Sequence, residues 1–458
     1  MRFWPLNCLR LTMNVPCDLL LRSNRMPGET KLPRLVFLDG PGPPPPRWYM
    51  PSLTARYDVH VLWAPTGDRE KDEAHARVIS QFCEHSPLLG GSDPLGSIIE
   101  FCREWQPEGI LGFSELVVSE THAAALELGL PANSPSSLPA LRSKEEQRMA
   151  LAKAGAPIPR FSAVRCLSEL VSAVAEVGLP AILKPSVGVS SVATYQITPG
   201  IDLTELWENA TRRYKTDPRG NGSADFVLEE MLIGQQWHDD PRLAHYVSVE
   251  SLVQNGSINH LVVTDKFPLS ESFRENGNLM PSTLPEQRVD AILGCATEAI
   301  DAIGITNSMV HTEIMLTADG PRIIEVNSRL GGAVIEMLHL CFDYDVVAAM
   351  AAVATGREVA PLGPRLRSSG QYIPQSPARD VTVSKVPTVD ELLALDGVVE
   401  AEVFCKVGES PEWQRGTSAG RLARVIAASE SVNRLLDLSD ILKSDEVFSY
   451  LPMLEEAR

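Results

Sequence analysis

The sequence lacks several common devices. It has no GxxxxGK[ST] phosphate loop, no CxxC pair, no run of eighteen apolar residues, no long Lys/Arg cluster and no internal repeat. Without a phosphate loop of that type, a nucleotide would need another cradle. The eight cysteines, at positions 8, 17, 83, 102, 166, 295, 341 and 405, have no zinc-ligand spacing and suit a reducing compartment. The missing apolar run leaves no predicted membrane span. A formal net charge of −18 with no basic stretch to offset it argues against a nucleic-acid surface. The expectation is a cytoplasmic protein with small-molecule partners, in which an anionic substrate needs its own local cations.

What is present is 458 residues, 44% of them hydrophobic, enough for about three domains. Residues 1–30 carry Arg2, Arg10, Arg22 and Arg25 against Asp18 and Glu29, with Pro5, Asn14 and Pro16 interrupting any apolar segment. They make a poor signal peptide and read as a disordered extension, a weak transit-like segment, or sequence upstream of a start at Met13 or Met26. Residues 31–135 alternate strand and helix, with strands at 34–40, 58–65 and 109–113 and helices at 69–85, 95–105 and 114–129, so a parallel-sheet α/β domain is predicted. Residues 136–365 mix helices with hairpins, and a Pro/Gly/Arg-rich linker near 355–368 leads to an α+β module over 366–458.

The stretch PRIIEVNSRLGG (321–332) puts Glu325, Asn327 and Arg329 on one face of a strand and Ile324 and Val326 on the other. Upstream, VHTEIMLT is separated from it by Ala318-Asp319-Gly320, which fits a three-residue hairpin with glycine left-handed. That register sets Glu313 opposite Glu325 and His311 opposite Asn327. Two facing carboxylates repel, and a divalent cation would relieve the repulsion. Oxygen ligands from Glu313, Glu325 and Asn327 suit Mg²⁺, with Mn²⁺ able to substitute. The bland alternative is a solvated sheet face with Arg329 paired to a glutamate.

Two further stretches bear polar groups in strand-like runs. In PAILKPSVGVSSVATYQI, Lys184 ends an apolar strand ahead of a loop with Gly188, Ser190 and Ser191, a plausible phosphate clamp or a plain hairpin turn with a snorkelling lysine. FVLEEMLIG (226–234) offers Glu229 and Glu230 followed by Met231 and Leu232, either an edge strand with solvated acids or a hinge that meets a flat heterocycle. YVSVESLV presents Glu250, and LVVTDKFPL ends in Asp265-Lys266.

In order along the chain, the helix with Lys144, the Lys184 loop, EEML, SVE, TDK and the E…EVN hairpin resemble the ATP-grasp superfamily. The resemblance is greatest to L-amino acid ligases of the bacilysin-synthetase type, through SFRENGNLMPSTLP (272–285), HTEIMLTADGPRIIEVNSRLGGAV (311–334) and GRLARVIAASES (420–431). It implies an ATP-grasp fold with an N-terminal parallel-sheet domain and a C-terminal lid-like α+β module. It also implies that Lys144, Lys184, Ser190 and Ser191 contact ATP phosphates, that Glu229 to Leu232 hold adenine, and that Glu250 takes the ribose side. Glu313, Glu325 and Asn327 would hold Mg²⁺. Arg329, Lys266 and Glu275 would act in catalysis, with Glu275, Asn278, Arg329, Gly331 and Gly332 around the substrate. Relatives commonly carry histidine where this chain has Asn278, and biotin carboxylases carry several glycines where it has SVGVSS.

The expected activity is ATP-dependent amide formation, a dipeptide bond, through an acyl phosphate with release of ADP and phosphate. The alternatives are a ligase for a non-amino-acid carboxylate and a catalytically silent nucleotide binder of the same fold. A homodimer stays open, and no role is legible for QQWHDDPRLAH (235–245).

Overall fold

The computed structural model describes residues 31–40, 45–88, 93–188, 193–216 and 225–452. The expectations for residues 1–30 and for Ser190 and Ser191 fall outside the described residues.

Near the N-terminus, β1 (Arg34–Asp39), β2 (Asp58–Trp63), β3 (Glu84–Ser86) and β4 (Gly109–Gly112) form a parallel sheet in the order β3-β2-β1-β4. The helix predicted over 69–85 is shorter. Asp68 caps it by accepting from the Glu70 and Lys71 amides, and it ends at Ile79, where the polar Ser80-Gln81 breaks the apolar period. The chain then turns and Glu84–Ser86 joins β2 as a strand. The helix predicted over 114–129 also begins late: a 3₁₀ turn, Glu115–Val117, precedes Val118–Glu127.

A second sheet, antiparallel, contains β5 (Phe161–Val164), β6 (Ala181–Pro185), β7 (Tyr195–Ile197) and β8 (Phe226–Glu230) in the order β5-β8-β6-β7. Helices Leu167–Val177 and Leu203–Thr216 cover it, burying Leu170, Ala173, Leu206 and Tyr214 against Leu183, Ile197 and Phe226.

The largest sheet takes β9 (Tyr246–Gln254), β10 (Ser257–Lys266), β11 (Gly277–Met280), β12 (Ser308–Thr317), β13 (Gly320–Asn327) and β14 (Ser368–Tyr372). A strand β15 (Val381–Lys385) leaves it to pair later in the chain, while β16 (Val398–Val403) and β17 (Ala423–Ser429) return to it. The partner of β15 is β18 (Ser449–Pro452). The eight strands run β13-β12-β9-β10-β11-β14-β17-β16, all neighbours antiparallel, so hydrogen bonding continues across the boundary read near 365.

Alternation along these strands decides where the core and the cleft lie. Val247, Val249, Val263, Val310, Ile314, Ile323 and Val326 point to one side, where helix Glu286–Ile303 buries Ile292, Cys295, Ala299 and Ile300 on them. Each such aliphatic side chain contributes roughly 1.5–3 kcal/mol on burial. The intervening Ser248, Glu250, His311 and Glu313 therefore share the opposite face, and Glu325 joins them because a bulge leaves Ile324 unpaired, so that Ile323 rather than Ile324 enters the core. No single helix among the described residues is long and apolar enough to cross a membrane. The apolar helices Val334–Phe342 and Val346–Ala354 bend 115° to one another, and their largely buried side chains belong to the cluster that also holds Leu35, Phe37 and Leu111 of the N-terminal sheet.

Candidate functional site

On the polar face, β12 and β13 pair with Glu313 opposite Glu325 and His311 opposite Asn327, with a bulge just after Glu313. The connection is tighter than the three-residue turn read from the sequence. Thr317 pairs with Gly320, so only Ala318 and Asp319 lie between the strands, with the glycine at φ +114°. The expected carboxylate repulsion is already compensated, because each acid has its own cation. Glu313 accepts from His311 Nε2 at 3.4 Å and Glu325 from Lys144 Nζ at 2.7 Å. Burial pushes both carboxyls up, but His311 draws Glu313 down to about 2, and Lys144 and Lys184 hold Glu325 below the usual carboxylate range.

Lys144 reaches that face because its helix, Lys144–Lys153, is docked on the free edge of β13. Gln147 bonds both backbone groups of Val326, accepting its N–H at 2.9 Å and donating to its C=O at 2.7 Å, and Arg148 donates to Ile324 O. Positions 144, 147 and 148 share one helix face, so an amide that completes the edge strand also aims the lysine. Ser143 caps the helix and bonds Ser186, joining its start to the end of β6. Burial lowers the affinity of Lys144 for its proton, yet Glu325 and Glu115 hold the ammonium above its ordinary range.

Glu229, expected at the adenine, is engaged by two cations in the structure. It faces Ile182 across β6–β8 and is buried in a bidentate pair with Arg148 (2.8 and 3.0 Å) and a further pair with Lys184 (2.9 Å). The strand's alternation turns it inward toward the two cations. Burial raises its carboxyl, but Arg148 and Lys184 pull it to about 2. Burial, in turn, holds Lys184 below the usual lysine range despite Glu229. Glu230 points the other way, to Arg160 (3.3 Å), and the Met231 amide donates to Pro180 O (3.0 Å). Leu232 remains half-buried beyond them.

Glu250, expected on the ribose side, has a protein partner in the structure. It is fully buried, and its Oε1 accepts from His311 Nδ1 at 2.7 Å. Burial disfavours the imidazolium, but Glu250 and Glu313 raise His311 to about 9. Gly331 leaves room for this ring, since a Cβ there would lie 2.4 Å from His311 Nδ1. At Gly332 the nearest atom to an added Cβ is Gln371 Oε1, at 3.8 Å.

Arg329 is half-buried and pairs through Nε with Glu115, which the 3₁₀ turn after β4 presents from the N-terminal sheet. Nothing in the spacing of GFSELVV marked Glu115 as a site residue. Lys266 and Asn278 are register partners on β10 and β11, both buried, and Asn278 donates to Gln371 Oε1 at 2.7 Å. Glu275 stands just before β11. Surrounding protein and the nearby Glu313 push its carboxyl up, against the pull of Lys266. The stretch 235–245 buttresses this region. His238 donates to buried Asp265 (2.9 Å), beside Lys266, and Arg242 reaches Asp437 (2.8 Å) on helix Val432–Lys443.

Among the described residues no group of three or more His, Cys, Asp or Glu side chains is arranged to hold a metal ion. Two facing carboxylates and the buried Asn327 remain, all oxygen donors. This set fits Mg²⁺, which keeps several waters or phosphate oxygens in its shell and seldom sits in an all-protein cage.

Residues 177–337 match the model of an ATP-grasp domain. The chain is 28% identical to the alanine–anticapsin ligase of Bacillus subtilis over 300 residues, 61% of each chain. It is 27% identical to human carnosine synthase 1 over 258 residues, 53% of this chain and 30% of that enzyme. It spans about three fifths of the first of these relatives and under a third of the second. In fold it is similar to an L-amino acid ligase from Bacillus licheniformis, with a TM-score of 0.74 and 18% identity over 93% of this chain and all of that one.

Proposed function

We propose that this chain is an ATP-dependent carboxylate–amine ligase of the ATP-grasp superfamily, joining two amino acids, or an amino acid and a close analogue, with release of ADP and phosphate. The observation that carries the reading is the charge arrangement on one sheet face. Lys144 pairs with Glu325 at 2.7 Å, Lys184 pairs with Glu229 at 2.9 Å beside it, and Arg329 is held by Glu115 near enough for Glu313 and Glu325 to favour its charged form. Such a wall is of little use to a protein that only binds a nucleotide, and the relatives named above are ligases.

The chemistry follows from the weakness of a carboxylate as an electrophile. One carboxylate oxygen attacks the terminal phosphorus of ATP, and the bond to the ADP oxygen breaks. The amine nitrogen of the second substrate then attacks the carbonyl carbon, the carbon–oxygen bond to phosphate breaks, and the nitrogen gives up a proton. An amine that arrives neutral needs no dedicated protein base.

Lys144 and Lys184 would bind the phosphates, exchanging their present carboxylate partners for phosphate oxygens. Arg329 and Lys266 would stabilise charge that grows as the acyl phosphate forms and collapses. Glu313, Glu325 and Asn327 would hold Mg²⁺, whose charge would offset that of the phosphates. Glu275 would hold the ammonium of the substrate whose carboxylate is activated, beside Asn278. Glu250 and His311 would stand behind Glu313, fixing its orientation, as groups behind a metal ligand commonly do.

The test is phosphate release by the full chain with ATP and Mg²⁺ over all pairs of L-amino acids and simple carboxylates. Release that requires both a carboxylate and an amine is the expected result. Release without any amine would point to another carboxylate chemistry, and no release with any pair would contradict the reading.

A further inference from the structure

The loop that carries Glu275 is held in a costly conformation. Ser272 and Phe273 both have left-handed backbone, at φ 64° and 56°. Residues with a Cβ rarely adopt it, and it persists only where the surroundings fix it. Here they do. Ser270 and Arg274 exchange backbone hydrogen bonds at 2.9 and 3.2 Å, closing the loop. Arg274 is 1% exposed, an unusual burial for a guanidinium. Its Nε donates to Glu271 O and its Nη1 to Ser376 O, both at 2.9 Å, and it lies 5.8 Å from the Trp413 ring centre. Gly420 makes the space, since a Cβ there would come within 2.7 Å of Arg274 Nη1.

Glu275 comes next, and both its backbone polar groups end on side chains from the C-terminal part of the chain. Its N–H donates to Thr417 Oγ1 at 3.0 Å, and its C=O accepts from Gln375 Nε2 at 2.9 Å. Its side chain is exposed, close enough to Glu313, Lys266, His311 and Arg329 for their charges to act on its carboxyl. The main chain is thus fixed by one part of the molecule while the side chain is left to face the charged groups of another.

We infer that Thr417 and Gln375 are positioning residues that set where Glu275 presents its carboxylate to the amino group of the activated substrate. The inference rests on the reading of Glu275 given above. A hydrogen-bonded carboxylate discriminates by placement, and a shift of about 1 Å at such a contact is enough to forfeit binding or rate. Thr417 supplies an acceptor and Gln375 a donor, so each fixes a different end of the same residue. Substrate selection would then depend on residues that never touch the substrate.

The experiment uses the full chain and the pair of L-amino acids with the highest phosphate release. Thr417→Val keeps the shape and removes the acceptor, and Thr417→Ser restores it. Thr417→Val should raise KM for the activated amino acid about five- to tenfold, the worth of one hydrogen bond, with the KM of ATP unchanged and Thr417→Ser close to the wild type. Gln375→Leu should act in the same direction. In a Glu275→Gln background, adding Thr417→Val should cost nothing more, because the two changes act through one contact. Equal rises in both KM values, or additive losses in the double variant, would overturn the positioning role. A Glu275→Gln enzyme with wild-type KM would instead overturn the reading of Glu275, and a chain that turns over no pair would overturn both.

Discussion

Glu115 and Arg329 form an ion pair across 214 residues of chain, joining the N-terminal sheet to the strand that carries Glu325 and Asn327. The guanidinium is therefore oriented before any substrate arrives, with its Nη1 also donating to Leu330 O at 2.9 Å.

Removing that orientation should slow the reaction without weakening nucleotide binding. Glu115→Gln is expected to lower kcat about tenfold, and Arg329→Met about a hundredfold or more, with the KM of ATP nearly constant, since the charge they serve develops only along the reaction. Steady-state kinetics decide it. Equal losses in kcat and in ATP affinity would place Arg329 in ground-state nucleotide binding.

Glu325→Ala should abolish turnover. From the facing carboxylates alone, its removal would be expected to relieve repulsion. The pair with Lys144, whose side chain is 17% exposed against 22% for the glutamate, reverses the sign. Urea denaturation should show a loss of about 1–3 kcal/mol, and a more stable variant would contradict the pairing.

Stability should also depend on pH through Glu229. Its folded carboxyl lies at about 2 against an ordinary 4.5. A group lowered on folding stabilises fully above its unfolded value and loses that contribution as pH falls through the folded one. At pH 7, Glu229→Gln leaves the buried Arg148 without its carboxylate and should cost about 3–5 kcal/mol. Denaturation curves of wild type and variant should converge between pH 4.5 and 2, and a constant gap would remove Glu229 from the acid response.

These residues also show what the sequence could and could not convey. Alternation and a turn signal did set Glu313 opposite Glu325, but only because two departures cancel: the turn is one residue shorter than read, and the bulge after Glu313 restores the pairing. The same alternation showed which face Glu250 occupies but not its depth, which depends on the neighbours of β9 on both sides and on His311 filling the space above it. Glu229 and Glu230 look alike in EEML. Only the arrival of Arg148, 81 residues away, turns one into a buried anchor and leaves the other at the surface. The continuous sheet from β13 to β16 was likewise hidden, since strand order is a long-range property that a linker-like composition near 355–368 does not report.

The central claim is the acyl phosphate, and following the oxygen tests it most directly. The activated amino acid would be supplied with isotopically heavy carboxylate oxygens, together with ATP, Mg²⁺ and the amine substrate, and the products separated by mass. One heavy oxygen should leave with the inorganic phosphate, because the carbon–oxygen bond to phosphate is the one that breaks, and ADP should be the unlabelled partner product. Heavy oxygen in AMP, or inorganic phosphate without the label, would contradict the account.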